Sequence, residues 1–364
     1  MICMNNFKAE PPQLRQAMLA AVGRVMDSGR YILGQELHRF EQLWATRCAV
    51  PFGVGVGDGL HAIEIALRAL DIGPGDEVIT TPMTAFATVL AILKAGAQPV
   101  LADIEADTAL LSLESVRRCL SPRTRAVLLV HLYGQVNRMQ AWLDLCKAHH
   151  ITLIEDCAQA HLAHWQGRPV GSFGRVGAFS FYPTKNLGAI GDAGMLVTTD
   201  ASLANRASQL RNYGQEETGH FTELGTNSRL DEMQAAILSE RLHWLPAFTE
   251  ARRTIAQAYR AGIHHAAIQM LSEPADPASH VYHLFVVTCE NRGALQAHLT
   301  RQGIQSIIHY PIPIHRQASC GDLPRDPLGL SNSERHAERC LSLPCHPMME
   351  PEEIDAVIKA VNSF

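Results

Sequence analysis

The sequence predicts an α/β protein in which a large, mostly parallel sheet domain flanked by helices precedes a smaller C-terminal α+β domain. Three observations support this class. Short apolar or β-branched runs alternate with helical patterns between residues 52 and 200, as they do in parallel sheets that carry helices on both faces. A long helical stretch spans residues 229–262. Beyond it, strand and helix patterns alternate again over a shorter length.

The predicted sheet strands are short and almost continuously apolar, as strands buried on both faces require. They cover residues 77–81, 99–102, 126–130 and 151–154. Between them, Leu60, Ile63, Leu67 and Leu70 fall on one face of a helix, and Leu90, Leu93 and Ala97 repeat at similar spacing. Turn signals at 73–77 and 121–122 separate these units.

The C-terminal third begins where the helical stretch breaks, near Pro246. After a loop, its predicted elements are a strand at 281–289, a helix at 292–302, a strand at 304–309, a Pro-rich loop at 309–327, and helices near 332–341 and 351–362. We therefore expect a large domain over residues 1–245 and a small domain over residues 246–364, a common size for domains.

Composition argues against several classes of protein. The 364 residues carry 31 basic and 36 acidic side chains, and this balance does not suit a broad nucleic-acid surface. The longest apolar run, 85–93, is too short to span a membrane. The N-terminal segment MICMNNFKAE lacks the apolar core of a signal peptide. We therefore expect a cytoplasmic protein without membrane spans.

Cysteine and histidine are plentiful, but neither forms a metal-binding pattern. Nine cysteines without a CxxC pair indicate reduced thiols rather than a disulfide framework. The 18 histidines include no HExxH motif, and His161 and His164 lack the i, i+4 spacing of helical zinc ligands. The sequence therefore predicts no metal site.

Asp156 ends the predicted strand TLIED. In open α/β sheets, ligands bind beyond the carboxyl ends of the strands, so a carboxylate there is well placed for function. Capping of the next helix or a salt bridge is the simpler explanation for this residue taken alone.

Lys185 follows an apolar strand that carries Ser180 and precedes a glycine-rich segment, 188–194. A lone lysine on a turn is usually a solvated surface group, but a lysine whose pKa is lowered forms Schiff bases. Neighbouring strands would bring Lys185 and Asp156 to one edge of the sheet. A Schiff-base lysine and a carboxylate beside a pyridinium nitrogen are the groups that pyridoxal phosphate requires.

A phosphate site is the remaining requirement of that cofactor. The segment GVGDG (55–59) lies between a strand and the helix that starts near Leu60. Exposed N–H groups at a helix N-terminus bind phosphate, although such a turn is often only a tight connection. Ser180 would add a hydroxyl donor, unless its hydroxyl is bonded to the backbone instead.

These motifs together resemble the DegT/DnrJ/EryC1/StrS family, most of whose members are pyridoxal-phosphate-dependent aminotransferases of nucleotide-linked keto sugars. The resemblance runs through nearly the whole chain in order. Its segments are YILGQELHRFEQLWA (31–45), GVGDGLHAIEIALRALDIGPGDEVI (55–79), HLYGQ (131–135), EDCAQAH (155–161), FSFYPTKNLGAIGDAG (179–194), TNSRLDEMQAAIL (226–238) and LSLPCHPMMEPEEID (341–355).

The resemblance implies a fold-type-I aminotransferase that works as a homodimer with shared active sites. By position, Lys185 would bond to the cofactor and Asp156 would pair with the ring nitrogen. Gln159 would lie against the ring or near its phenolic oxygen. The phosphate would be held by Ser180, by the backbone of Gly59 and Leu60, and by Asn227 of the partner subunit. Asn227 has a helix N-cap as its alternative role.

The sequence departs from the family pattern at four positions, of which Ala193, in place of a common Gly, should be tolerated. Ala85 stands where many relatives carry an aromatic residue stacked on the ring, and Phe86 is the next residue. Leu60 replaces a frequent Thr, so one hydroxyl donor to the phosphate is absent. Asp58 replaces a frequent Asn or Ser, and we assign it no binding role because a carboxylate repels phosphate.

The resemblance also indicates substrate contacts. Tyr310 and His315 match a segment that lines the sugar site, Tyr31 matches one near the substrate entrance, and Arg211 and Arg229 have the chemistry to bind a carboxylate or diphosphate. A structural role is an equally good expectation for Tyr310, His315, Arg211 and Arg229, and for Tyr31 the alternative is a core or surface role.

The reaction that this pattern predicts is transamination, with glutamate as amino donor and a 3-keto or 4-keto nucleotide sugar as acceptor. Two alternatives stay open. A sugar dehydratase would use the same cofactor, but such relatives often replace the lysine, so Lys185 favours transamination. A non-catalytic regulatory protein would not need to retain Asp156, Gln159, Ser180, Lys185 and Asn227 together.

Overall fold

A computed structural model describes residues 1–274 and 276–364 of the chain. Its first half alternates strands and helices, as the sequence predicts. These elements are α1 (Pro12–Ser28), α2 (Gln35–Arg47), β1 (Phe52–Val56), α3 (Gly59–Ala69), β2 (Glu77–Thr80), α4 (Phe86–Lys94), β3 (Gln98–Leu101), α5 (Leu113–Cys119), β4 (Thr124–Val130), α6 (Met139–His149), β5 (Thr152–Asp156), β6 (His164–Trp165), β7 (Arg168–Pro169), β8 (Val176–Ser180) and β9 (Gly194–Thr198).

The second half is richer in helices, and its strands are short. Its elements are α7 (Ala201–Leu210), β10 (Gln215–Glu217), β11 (His220–Phe221), α8 (Glu232–Leu242), α9 (Leu245–Gly262), β12 (Gln269–Met270), β13 (Phe285–Thr288), α10 (Arg292–Arg301), α11 (Ser331–Arg339), β14 (Cys340–Leu343) and α12 (Pro351–Asn362). Within the described ranges, no helix is long and apolar enough to cross a lipid bilayer.

The large sheet is mostly parallel, which confirms the predicted fold class. Over the residues that the structure describes, its strand order is β1-β9-β8-β5-β4-β2-β3. Strand β9 pairs antiparallel with both of its neighbours, β1 and β8, while the remaining pairs are parallel. The four strands predicted from their apolar runs correspond to β2, β3, β4 and β5.

Alternating residues of the central strands belong to two separate apolar cores, one on each face of the sheet. In β4, Val127 and Leu129 belong to one apolar cluster, and Ala126 and Leu128 belong to the other. Successive side chains of a strand point to opposite faces. The continuous apolar runs therefore exist because both faces are covered by helices.

The C-terminal region has an apolar core of its own. It joins α9 to the antiparallel sheet β12-β13-β14, with Tyr259, Phe285 and Leu341 among its buried members. The predicted break in the long helix is confirmed, since α8 ends at Leu242 and α9 starts at Leu245. Pro246 lies in the first turn of α9, where its missing N–H leaves no hydrogen bond unmade.

Two predictions in this region were wrong. The run 304–309 is not a strand, because it forms only single bridges, from Ile304 to Ile2 and from Ile307 to Ser342, before the chain turns into its Pro-rich loop. The last residues assigned to the helix at 332–341 instead begin β14. A four-residue apolar run directly after a helix carries too little periodicity to mark it as a strand.

Candidate active site

Two neighbouring strands of the large sheet end beside each other. Strand β5 ends at Asp156 and β8 ends at Ser180, and the two strands run parallel with Asp156 opposite Ala178. The carboxyl ends of parallel strands meet at one edge of the sheet, where open α/β folds bind their ligands. The expected placement of Asp156 near the segment that carries Lys185 is thus observed.

Lys185 lies on a tight turn between β8 and β9. Its backbone N–H donates to the carbonyl of Tyr182 at 2.8 Å. A side chain at Gly188 would place its Cβ only 2.3 Å from the carbonyl oxygen of Pro183, so the turn requires glycine at that position. The glycine-rich sequence is therefore needed to fold the turn that presents Lys185.

The amine of Lys185 is electrostatically unusual. Burial lowers its pKa to about 8, although the charge of Asp156 opposes the shift and the side chain keeps some contact with solvent. Three imidazoles are close enough to sense its charge; His161 is buried, and His283 and His309 are half-buried. Burial first, and the nearby Lys185 charge second, lower the pKa of His161, His283 and His309. These histidines are therefore neutral at pH 7. Asp156 supplies the negative charge that partly offsets the effect of burial on the pKa of Lys185.

Asp156 is buried, with 5% of its surface exposed, and each of its carboxylate oxygens accepts one hydrogen bond. The Thr88 hydroxyl donates to Oδ2 at 2.8 Å, and the backbone N–H of Ala158 donates to Oδ1 at 3.1 Å. Sequence reasoning missed Thr88. Its only signal was a hydroxyl residue within the apolar run 85–93.

The turn from β1 into α3 lies directly against Ser180. A side chain at Gly59 would place its Cβ 2.6 Å from the Ser180 Cβ. The Ser180 hydroxyl accepts a long bond of 3.4 Å from the Tyr182 N–H, which leaves its proton available for a ligand. Gly59, Leu60 and Ser180 thus form one small cradle at the N-terminus of α3, a favourable place for an anion.

Asp58 caps this helix rather than facing the cradle as a ligand. Its carboxylate accepts the backbone N–H of His61 at 2.9 Å and lies 2.7 Å from the His61 ring nitrogen. This accounts for a carboxylate so close to an anion site, since both of its oxygens are bonded to His61.

Gln159 is fixed between two tyrosines. Its carbonyl oxygen accepts the backbone N–H of Tyr133 at 2.6 Å, and its amide donates to the Tyr310 hydroxyl at 3.1 Å. Burial raises the pKa of Tyr310 to about 12, so its hydroxyl keeps its proton as a donor. Gln159 and Tyr310, which are 151 residues apart, are therefore in direct contact.

The residues at this edge fit pyridoxal phosphate. They comprise an amine with a lowered pKa at Lys185, a buried carboxylate at Asp156 with acceptor capacity to spare, and a helix N-terminus whose cradle lacks side-chain atoms at Gly59. Schiff-base formation, pairing with a ring nitrogen and phosphate binding need these three groups.

Several candidate substrate residues are engaged within the chain itself. The Arg211 guanidinium forms an ion pair with Glu41 and donates to the Gly55 carbonyl at 2.8 Å. His315 is buried and bonds Glu334 at 2.9 Å. Both contacts provide the structural role that the sequence left open.

Arg229 donates to the Asn212 side chain at 3.0 Å and lies over the Tyr213 ring.

Three further candidates lie at the surface of the chain. Asn227 is exposed and is not a helix N-cap, because α8 starts later, with Asp231 at its cap position. Tyr31 is 50% exposed. Phe86 is 38% exposed in the first turn of α4, directly after the half-buried Ala85. These side chains are accessible to a ligand or to a second subunit.

Comparison with known sequences identifies the wider relationship. The sequence profile of the DegT/DnrJ/EryC1/StrS aminotransferase family matches residues 12–362. The dTDP-3-amino-3,4,6-trideoxy-alpha-D-glucose transaminase of Streptomyces venezuelae is 43% identical, over 99% of this chain and 95% of that protein. The UDP-N-acetyl-3-dehydro-alpha-D-glucosamine 3-aminotransferase of Acidithiobacillus ferrooxidans is 40% identical, over 99% of this chain and 97% of that protein.

Solved structures show the same relationship in three dimensions. The crystal structure of S. venezuelae DesV in complex with a ketimine intermediate superposes with a TM-score of 0.95 at 41% sequence identity. The superposition covers 100% of this chain and 97% of DesV. The two proteins therefore share the same overall fold.

Proposed function

The chain belongs to the DegT/DnrJ/EryC1/StrS aminotransferase family, and from that premise we propose that it is a pyridoxal-phosphate-dependent transaminase that converts a nucleotide-linked 3-keto sugar into the 3-amino sugar. The observation that carries this proposal is the placement of Lys185, whose pKa is lowered to about 8, near the buried Asp156 at one sheet edge. The two relatives above are named for 3-amino or 3-dehydro sugars, which favours C3 over C4.

Each group of the site has a definite task in this reaction. When bound, pyridoxal phosphate supplies an electron-withdrawing ring that makes the proton on the substrate carbon acidic. Asp156 would hold a positive charge at the ring nitrogen, and Ser180 with the backbone of Gly59 and Leu60 would hold the phosphate. The Lys185 amine would be the general base that takes the proton from the substrate carbon.

The lowered pKa of Lys185 suits this work. General bases are most effective when their pKa lies near the working pH. Burial brings the amine to about 8, so a useful fraction of Lys185 is neutral near pH 7.5. A solvated lysine, with its ordinary pKa of 10.5, would be almost entirely protonated there.

The proposal includes a homodimer, glutamate as amino donor and a cytoplasmic location. The dimer is supported by Asn227, which is exposed and therefore accessible to a second subunit. We also propose the division into domains 1–245 and 246–364, because the C-terminal core gathers around α9 and the sheet β12-β13-β14.

A substrate panel tests the proposal. Purified protein with bound pyridoxal phosphate is mixed with glutamate and with dTDP- or UDP-linked 3-keto and 4-keto sugars. The products are identified by mass spectrometry. We expect 3-keto sugars to gain an amine and 2-oxoglutarate to appear. The Lys185→Ala variant is the matched control and should give no product. Full activity of that variant, or conversion of no keto sugar by the wild type, would contradict the proposal.

A further inference from the structure

Resting on the function proposed above, we propose that Thr84 and Thr88 form a hydroxyl relay that fixes the Asp156 carboxylate toward the cofactor ring, with Thr88 as a positioning residue. The three side chains are buried, at 4%, 2% and 5% exposure respectively. Thr84 precedes α4, Thr88 is in its first turns, and Asp156 ends β5, so a helix and a strand meet through these groups.

The direction of each hydrogen bond follows from the chemistry of the groups. Thr88 Oγ1 lies 2.8 Å from Asp156 Oδ2 and 2.8 Å from Thr84 Oγ1. An ionised carboxylate only accepts, and a hydroxyl has one proton, so Thr88 donates to Asp156. The proton between the two threonines must then come from Thr84. Each hydroxyl in such a chain polarises the next and strengthens the bond to the carboxylate.

The relay fixes the plane of the carboxylate without using up its acceptor capacity. Oδ2 accepts from Thr88 and Oδ1 accepts from the Ala158 N–H. Two donors on opposite oxygens define the orientation of the group. One lone pair on each oxygen stays available for a cationic ring nitrogen.

Threonine suits this position better than other hydroxyl residues of similar size. A helical threonine often turns its hydroxyl back to a carbonyl of the preceding turn. Here the hydroxyl bonds Asp156, which is 68 residues away in sequence. Branching at Cβ restricts the side chain to few rotamers, so little entropy is lost in holding this geometry.

Three substitutions test the relay in the cofactor-loaded dimer and its apoprotein. Thr88→Val removes the hydroxyl and keeps the shape, Thr88→Ser keeps the hydroxyl, and Thr84→Val removes only the second donor. Thr198→Val is the matched control, because the buried Thr198 hydroxyl donates to the Arg175 carbonyl at 2.8 Å, at the start of β8 and away from the site. The readouts are the dissociation constant of pyridoxal phosphate, the rate of the absorbance change on adding glutamate, and the melting temperature.

We expect Thr88→Val to weaken cofactor binding and to slow the glutamate step by about tenfold each, as for loss of a hydrogen bond to a charged group. Thr84→Val should cost about threefold, because the direct bond to Asp156 survives. Thr88→Ser should restore both quantities to within about twofold of wild type. Thr198→Val should change only the melting temperature.

Two outcomes separate this inference from the function on which it rests. If Thr88→Val matches Thr88→Ser in cofactor affinity and in the glutamate step, the relay has no positioning role and the inference is overturned. If instead the wild type binds cofactor and reacts with glutamate but converts no keto sugar, the sugar assignment is wrong. The relay is still measured by the first two readouts in that case.

Discussion

Glu155 and Asp156 are consecutive residues of β5, but their carboxylates differ in how fully the protein supplies them with hydrogen-bond donors. Their side chains point to opposite faces of the strand, because side chains alternate along β structure. Glu155 is completely buried and Asp156 is 5% exposed. Nothing in the dipeptide itself distinguishes the two, so the difference between them must come from the groups that surround each carboxylate.

Glu155 is saturated by the protein. It accepts the backbone N–H groups of Gly171, Phe173 and Gly174 at 2.8–2.9 Å, and the His131 ring lies 3.1 Å away. His131 Nδ1 accepts the Asn137 N–H, so the opposite nitrogen carries the proton and donates to Glu155. The carboxylate therefore fastens the loop before β8 to β5.

The complete hydrogen bonding of Glu155 also bears on the role of the nearby Cys157 thiol. Donor atoms of His131, Glu155 and Cys157 lie within 4.8 Å of one another, a spacing that would suit a metal ion. However, both oxygens of Glu155 already accept two hydrogen bonds each, and burial raises the pKa of Cys157 well above its usual value. The cluster of His131, Glu155 and Cys157 therefore has a structural role.

Asp156 is left incomplete by the protein, with one hydrogen bond on each oxygen. A buried carboxylate with acceptor capacity to spare costs stability unless a ligand completes it. A structural carboxylate such as Glu155 has all of its acceptor sites filled by the protein. A functional one such as Asp156 keeps acceptor sites free for a ligand. Two predictions test this contrast directly, and two more concern Lys185 and the N-terminus of α3.

The largest expected effect is on activity. Asp156→Asn should lower the turnover of the transaminase by about a hundred- to a thousandfold, because an amide cannot stabilise a positive charge at the ring nitrogen. The free energy of unfolding should change by only about 1 kcal/mol, since the amide oxygen still accepts from Thr88. Steady-state kinetics and urea denaturation measure the two quantities. If Asp156→Asn is instead largely unfolded, and its folded fraction keeps full turnover, then Asp156 has a structural role and not a functional one.

Glu155→Gln should show the opposite pattern. The amide replaces one oxygen, so two of the four donors around it lose their acceptor. Breaking such a buried network costs about 3–5 kcal/mol. Folded protein should nevertheless retain near-normal turnover per site. A loss below about 1 kcal/mol in urea denaturation would show that Glu155 is not the fastening group.

The sequence alone predicted much of this edge and missed a definite part of it. Asp156, Lys185 and Ser180 could be placed because a strand end and a glycine-rich turn have local signatures. Thr88 could not, since its contact depends on how α4 packs beside β5, 68 residues away in sequence. Arg211 was ambiguous for the same reason, because its partners Glu41 and Gly55 lie in distant segments.

Strand boundaries show the same limit on a smaller scale. The central strands were predictable because they are buried on both faces and read as apolar runs. Residues 304–309 have a similar apolar character, yet they form only single bridges. A run of this length indicates burial, but the presence of a pairing partner is a property of the tertiary fold.

Lys185 offers a test of the cost of an incomplete site. Its pKa in the folded protein is about 8, below the ordinary 10.5. Between these values the unfolded chain holds one more proton than the folded chain, so the free energy of unfolding rises with pH across that window. Lys185→Met removes the buried charge. We expect the apoprotein variant to melt about 2 °C above wild type at pH 7.

The pH dependence distinguishes this cause from a simple gain in packing. The difference in melting temperature between Lys185→Met and wild type should shrink as pH rises above about 8, because the wild-type lysine is then neutral when folded. Groups that do not interact with Lys185 cancel in the difference, and the three histidines that its charge affects are neutral in the wild type over this pH range. An advantage that stays constant from pH 7 to pH 10 would mean that the burial of the ammonium is not what limits stability.

The smallest expected effect concerns the cradle at the start of α3. Leu60 follows Gly59 in the first turn of α3, and in the proposed cofactor-bound enzyme a hydroxyl at this position would meet the phosphate. Leu60→Thr should tighten pyridoxal phosphate binding by about threefold, since an exposed donor gains roughly half a typical hydrogen bond. Its half-buried side chain also packs on an apolar cluster, so the free energy of unfolding should fall by about 1 kcal/mol. Leu60→Val is the matched control, because it shortens the side chain without adding a donor. Titration of the apoprotein measures the affinity, and equal affinities for the two variants would place the phosphate away from this helix N-terminus.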